Sequence, residues 1–298
     1  MTFTFRAPRI DLDKIAASGQ CFRWTPGPVG GYIVPTGGRC GAIYRLEDEV
    51  HIREYTIPDE NPLDPAAVDA RALWGHYLGQ FDPTSDYWDA VDLWTAREPD
   101  AYLARAARAA DGMRILHQEP FETLISFIIS QNNNIPRIKR TIEALCRKFG
   151  RRRYIPTIRG NFPGAEWWDF PAAEALTDER ALQGLGLGYR APYIAAAGRA
   201  VVEGRLDFRE LGVMPYAEAR AVLKMIPGVG DKVADCVCLY GLGHIEAFPV
   251  DVHIRRVLER EFPGGFPFER FSGFAGFVQQ LVFYYERGRK EPPHKPEP

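Results

Sequence analysis

The 298-residue chain carries 37 Lys and Arg against 39 Asp and Glu, and it is 46% hydrophobic and 12% aromatic, which is the composition of a folded globular protein with a sizeable core. A net charge of −2 gives no overall basic excess, so any nucleic-acid partner has to be argued from local charge. Five scattered cysteines, Cys21, Cys40, Cys146, Cys236 and Cys238, form neither a disulfide framework nor the spacing of a zinc or iron–sulfur site. No apolar run approaches the roughly 20 residues of a membrane helix, and the opening MTFTFRAPRI lacks signal-peptide architecture. Together these features predict a monomer of the reducing cytoplasm with no metal or cofactor.

The first third predicts strands and turns. FTFRA (3–7), QCFRW (20–24), GYIVP (31–35) and GAIYRLEDEVHIREY (41–55) are aromatic or β-branched and are separated by the Gly/Pro clusters TPGPVGG and PTGGRCG, which suits an antiparallel meander. Pro and Asp gather in IPDENPLDP (57–65), after which DAVDLWTA (89–96) and AYLARAARAAD (101–111) have helix length and good helix formers. The expected fold is α+β, with an N-terminal sheet domain over 1–111, a helical domain over 112–287 and a disordered, proline-rich and charged tail over 288–298.

Beyond Asp111 the pattern reads as helix after helix. In IPRIKRTIEALCRKFG (135–150), Ile138, Ile142, Leu145 and Phe149 recur at helical spacing, Pro136 suits a first turn and Gly150 a C-cap. The other face is basic, with Arg137, Lys139, Arg140, Arg147, Lys148, Arg151, Arg152 and Arg153 against the single acid Glu143. Such a run is either an ordinary solvated face or the footprint of an anionic partner.

YAEARAVLKMI (216–226) reads as a helix stopped by PGVG (227–230), and DKVADCVCLYGLG (231–243) as the next helix, with Asp231 placed to cap it. Gly228 and Gly230 permit close backbone approach, and free N–H groups at a helix start favour a phosphate; a purely structural turn would use the same residues. Lys232 is therefore either a solvated side chain or a nucleophile aimed by the turn. FPVDVHIRRVL (248–258) puts Asp251 at a helix cap, separated from Lys232 by one helix and a short loop, a length that brings two helix starts together. An amine nucleophile needs a nearby proton acceptor or a lowered pKa; a fixed carboxylate either accepts the proton or, by its charge, stabilises the ammonium form of Lys232.

LKMIPGVGDKVADCVCLYGL followed by AFPVDVH resembles the helix–hairpin–helix, Gly/Pro-Asp signature of base-excision DNA glycosylases, and the wording is closest to the 8-oxoguanine DNA glycosylase family. SGQCFRW, LISFIISQNNNIPRI, LGLGYRAPYI and FAGFVQQLVFYYER resemble further family segments, in family order, from near Gly19 to near Arg287. The resemblance implies a bifunctional glycosylase and AP lyase acting on double-stranded DNA that contains oxidised guanine opposite cytosine. By position, Lys232 matches the lysine that attacks C1′ of an extruded nucleotide, and Asp251 its carboxylate partner. The Gly19 carbonyl matches the acceptor for the N7–H that distinguishes 8-oxoguanine from guanine. Phe283 and Cys236 match the pair that sandwiches the base, and Gln279 the amide on its Watson–Crick edge. Asn132 and Arg137 match residues that fill the gap and read the orphaned cytosine, Tyr189 a wedge, Arg190 a cytosine contact, and His253 a phosphate contact. Cys21 stands where the family has a small hydroxyl residue, and a Gly/Pro-rich insertion surrounds Gly27–Gly31. The alternatives are a glycosylase for another damaged purine, which Lys232 argues against when water is the nucleophile, and a non-catalytic DNA-binding module.

Overall fold

The computed structural model describes residues 1–27, 30–55, 70–79, 87–98, 101–155 and 165–289. The Pro/Asp segment 57–65, part of the insertion after Gly27 and the tail from 290 lie outside the described residues.

Strands β1 (Thr2–Arg6), β2 (Thr25–Pro26), β3 (Tyr32–Thr36), β4 (Arg39–Leu46) and β5 (Glu49–Glu54) form one antiparallel sheet in the order β1-β5-β4-β3-β2. This is the expected meander with two corrections. Helix α1 (Leu12–Ala17) intervenes, its start fixed by Asp11, whose carboxylate accepts from the Lys14 amide at 3.0 Å. QCFRW is not a strand: Gln20, Cys21, Phe22 and Trp24 are all buried, so the alternation of a half-buried strand is absent. The Gln20 amide instead bonds across the molecule, donating to the Arg114 carbonyl at 2.9 Å and accepting from the Leu116 amide at 2.8 Å.

Helices α2 (Ala70–Tyr77), α3 (Tyr87–Arg97), α4 (Tyr102–Ala109), α5 (Pro120–Ser130), α6 (Ile135–Phe149), α7 (Ala191–Val202), α8 (Phe208–Val213), α9 (Tyr216–Lys224), α10 (Asp231–Tyr240), α11 (Val252–Glu261) and α12 (Ala275–Gly288) follow along the chain. The core is continuous from Phe5 to Val282, and α4, which lies before the expected boundary at Asp111, packs on α12, with the Tyr102 and Tyr285 rings 5.6 Å apart. Helix α5 packs against α10 and α6, so it is the inner helix on which the hairpin rests.

Helix α6 forms as its periodicity requires, with Ile138, Ile142 and Leu145 buried and Asn134 capping through the Arg137 amide at 3.0 Å. Gly150 is its C-cap in extended geometry: a Cβ there would lie 1.9 Å from the Asp169 carbonyl oxygen, so close packing, not a left-handed turn, demands glycine. The all-helical expectation fails just beyond. Arg152–Ile155 and Ala165–Trp168 form an antiparallel pair, β6 and β7. Arg152 pairs with Glu166 at the surface, and Arg153 bonds Asp169 at 2.6 Å with both side chains largely buried. Half of the basic run is thus consumed internally, since Arg147 also pairs with Glu143 and stacks 4.0 Å over Trp168, and Lys148 donates to the Ala181 carbonyl at 2.6 Å.

Candidate active site

The hairpin follows the sequence closely. Gly228 has φ +82° and a Cβ on it would lie 2.2 Å from Tyr193 Cγ, so no other residue fits there without displacing that ring. Gly230 is different, because a Cβ there would meet nothing within 4 Å. The protein itself does not need glycine at 230, which leaves that space open to something outside it.

Asp231 does not cap α10. The N-cap is Gly230, which makes no side-chain cap bond. Asp231 lies inside the helix, held by Lys224 at 2.6 Å and Arg220 at 2.8 Å, and these bonds with cations of α9 keep its carboxyl below the usual value. Buried Asp235 extends the clamp, accepting from Tyr216 at 2.8 Å and Arg220 at 2.5 Å. The hairpin is braced from behind while the N–H groups at the front of α10 stay uncapped, an anion-favouring arrangement.

Asp251 is the N-cap of α11, its carboxylate accepting from the Ile254 amide at 2.9 Å. It and Lys232 line one cavity of about 340 Å³ together with Gly19, Cys236, Gln279 and Phe283. Tertiary structure therefore gathers both expected catalytic residues and all four expected base contacts. Lys232 Nζ donates to Ser130 Oγ at 3.0 Å and lies 4.6 Å over the Phe127 ring, and no ion pair within 4 Å joins it to Asp251. Burial pushes the Cys236 thiol up to about 12, with Lys232 pulling the other way, so Cys236 is an uncharged wall.

Gln279 is 3% exposed on α12. Its Nε2 donates to the Pro249 carbonyl at 2.9 Å, which fixes the amide's orientation and leaves Oε1 buried with no hydrogen-bond partner. Gly19, at φ +79°, brings its backbone to Phe283: a Cβ there would stand 3.1 Å from Phe283 Cε1. This loop is fastened to α12 by Gln280, which donates to the Ser18 carbonyl at 3.0 Å. His253, in the first turn of α11, is exposed beside Phe283, with ring centroids 6.3 Å apart.

At the rim, Asn132 adopts φ +45° and donates to the Tyr189 hydroxyl at 3.1 Å; Tyr189 is 48% exposed. Asn132, Tyr189, Gly228 and Gly230 line a second, open depression of about 460 Å³. Arg137 is exposed and donates to the Gly186 carbonyl at 3.4 Å. Arg190 departs from the expected placement: it is 5% exposed and spends its donors on the carbonyls of Gln131 at 2.9 Å, Asn132 at 3.2 Å and Leu187 at 3.2 Å, so here it braces the loop. Ser130, Phe127 and Gln131 were not singled out by sequence. A hydroxyl closing the apolar run LISFIIS, three residues after Phe127, was the available signal.

Among the described residues no group of three or more His, Cys, Asp or Glu side chains is placed to hold a metal ion, and no helix is long and apolar enough to cross a membrane. The hairpin and the cavity behind it define a base-excision repair protein, and residues 125–263 match the HhH-GPD superfamily base excision DNA repair protein. Residues 2–124 match the 8-oxoguanine DNA glycosylase N-terminal domain, and the chain belongs to the 8-oxoguanine DNA glycosylase family. It is 42% identical over 172 residues to the N-glycosylase/DNA lyase of Saccharomyces cerevisiae, a match covering 53% of this chain but only 44% of the yeast protein. A probable N-glycosylase/DNA lyase of Methanothermobacter thermautotrophicus is 34% identical over 231 residues, covering 67% of this chain and 71% of that protein. The solved 8-oxoguanine glycosylase/lyase of Clostridium acetobutylicum, in complex with double-stranded DNA containing cytosine opposite 8-oxoguanine, has a TM-score of 0.78 and 28% identity over 97% of this chain and 98% of that one.

Proposed function

We propose that this chain excises 8-oxoguanine from double-stranded DNA and then cleaves the strand as an AP lyase, with Lys232 as the nucleophile. The observation that carries the proposal is the joint placement of Lys232, Asp251 and the unpartnered Gln279 Oε1 around one cavity. A base reaches such a cavity only by leaving the stack. The uncapped start of α10 at Gly230 and the exposed His253 hold backbone phosphates beside it. Tyr189 and Asn132 enter the gap, and Arg137, with Arg190 once released from its carbonyls, contacts the cytosine left behind.

Inside the cavity Phe283 and Cys236 take the two faces of the base. Gln279 Oε1 is an acceptor, so it suits the N–H groups on the Watson–Crick edge of a guanine-type base. The Gly19 carbonyl accepts from the N7–H of 8-oxoguanine and meets a lone pair on guanine.

The Lys232 amine donates its lone pair to C1′ as the C1′–N9 bond breaks and its electron pair departs on the purine, which takes up a proton. Asp251 stabilises the positive charge that develops on the sugar and accepts the proton that the attacking amine sheds. Ring opening gives a Schiff base, whose acidified 2′ proton is removed while the 3′ phosphate leaves; water then returns the free lysine. Five buried free cysteines support a reducing compartment, which we take to be the cytoplasm.

The test is borohydride trapping on a duplex with one 8-oxoguanine opposite cytosine, with Lys232→Gln and undamaged duplex beside it. A covalent adduct that requires both lesion and lysine is expected. No adduct despite intact DNA binding would leave a binding module.

A further inference from the structure

We infer that Ser130 is a positioning residue for the Lys232 amine, the group that fixes where the nucleophile points before and during attack. This rests on Lys232 being the nucleophile. Ser130 is the last residue of α5, and its hydroxyl donates to the Phe127 carbonyl at 2.7 Å, satisfying one of the acceptors that a helix end leaves open. With its proton committed there, Ser130 Oγ meets Lys232 only as an acceptor, and the 3.0 Å contact is an N–H of Nζ donated to it. The same turn supplies the Phe127 ring face, 4.6 Å from Nζ. Two groups of one helix, three residues apart, thus hold an amine that arrives on another helix 102 residues later.

The holder is itself rigid. Gln131, the next residue, donates from Nε2 to the Gly228 carbonyl at 3.0 Å, and its own carbonyl takes Arg190 Nε at 2.9 Å. Ser130 is therefore fixed to the hairpin that carries Lys232 and to the loop that carries Tyr189. A lysine has a long flexible stem and gains no aim from its own backbone. Among the described residues Nζ forms no ion pair within 4 Å, and the hydroxyl and the ring, with the Cys236 thiol beside them, set its direction. Ser130 shares the cavity wall with Lys232, and the role inferred for it is exerted through the amine.

Single-turnover borohydride trapping on a duplex with a preformed abasic site, and on one with 8-oxoguanine, tests this in the wild type, Ser130→Ala and Ser130→Thr, with duplex affinity measured for each. Ser130→Ala is expected to slow trapping at saturating protein by about tenfold or more on both duplexes, the scale of a misaimed reacting group, with affinity within about twofold of wild type. Ser130→Thr, which keeps the hydroxyl, is expected to return the rate to within about threefold. Trapping by Ser130→Ala at the wild-type rate, a slow Ser130→Thr, or a rate loss matched by an affinity loss would each overturn the inference. A wild-type protein that forms no adduct sinks the nucleophile itself and the Ser130 role with it, an outcome distinct from the other three.

Discussion

Lys232 and Asp251 open two different helices, line one cavity, and form no ion pair within 4 Å. Asp251 nevertheless has a bond of its own, to the Ile254 amide at 2.9 Å, so a structural and a chemical duty coincide in one carboxylate. They separate by substitution. Asp251→Asn keeps an oxygen for the cap and loses only the charge: melting temperature is expected to hold while single-turnover excision falls about 100-fold, the range for a group that moves a proton. Asp251→Ala is expected to lose the same activity and in addition about 1 kcal/mol of stability. Calorimetry and excision kinetics on the two proteins check this; equal stability losses would mean the cap bond contributes nothing.

Gly228 and Gly230 are expected to respond oppositely to alanine. Gly228→Ala forces a left-handed backbone on a residue with a Cβ that meets Tyr193 at 2.2 Å, so it should cost at least about 2 kcal/mol in chemical denaturation. Gly230→Ala meets nothing and should change stability by less than about 0.5 kcal/mol. Its effect is expected in DNA affinity, where a methyl stands between the α10 N–H groups and a phosphate. Affinities at two salt concentrations make the comparison, and unaltered binding by Gly230→Ala would place the phosphate elsewhere.

Gln279 holds its orientation through Pro249 and leaves Oε1 unpartnered in the cavity wall. Gln279→Ala should lower kcat/KM for 8-oxoguanine by about 10- to 100-fold, corresponding to the loss of about 1–3 kcal/mol of hydrogen bonding. The melting temperature should not fall in step, because the wild-type amide already carries an unsatisfied buried acceptor. An activity that survives the change would show that the base does not use this edge.

The Cys236 thiol, pushed up to about 12 by burial, is held in its neutral form near pH 7. Iodoacetamide is therefore expected to leave it unmodified in the folded protein near neutral pH, and mass spectrometry of the alkylated peptide should register it only after unfolding. Rapid labelling of the native protein at pH 7 would mean that the Lys232 charge, not burial, governs this thiol.

The Asp231 carboxyl sits below its ordinary value of 3.8 because Lys224 and Arg220 bond its charged form. A lowered folded-state pKa contributes stability that is present above 3.8 and is lost as pH falls through the lower folded value. Asp231→Asn should thus be slightly less stable than wild type at neutral pH, by under about 1 kcal/mol since the group is largely exposed. The two proteins should converge in acid. Denaturation curves from pH 7 down to about 2 measure this, and a constant gap throughout would place the effect outside the carboxylate's charge.

By itself the sequence determined what nearest neighbours control. Helix α6 follows from apolar spacing and Pro136, α11 from Asp251, the hairpin from PGVG, and the family from segments spread over most of the chain. Where a local signal had a stronger distant competitor it misled: Asp231 looks like a cap until two cations of α9 claim it, and QCFRW looks like a strand until its buried side chains bond to residues near 114–116. Only the tertiary structure decided that Arg152 and Arg153 lie in an antiparallel strand pair, that Arg190 turns inward on the Gln131 carbonyl, and that Ser130 and Phe127 hold Lys232. Each of these is a contact between segments whose sequences carry no record of each other's position, because a hydrogen bond or ring contact leaves no periodicity along the chain. The backbone pattern sets which helices exist; the packing of α5 beneath the hairpin sets where the amine points.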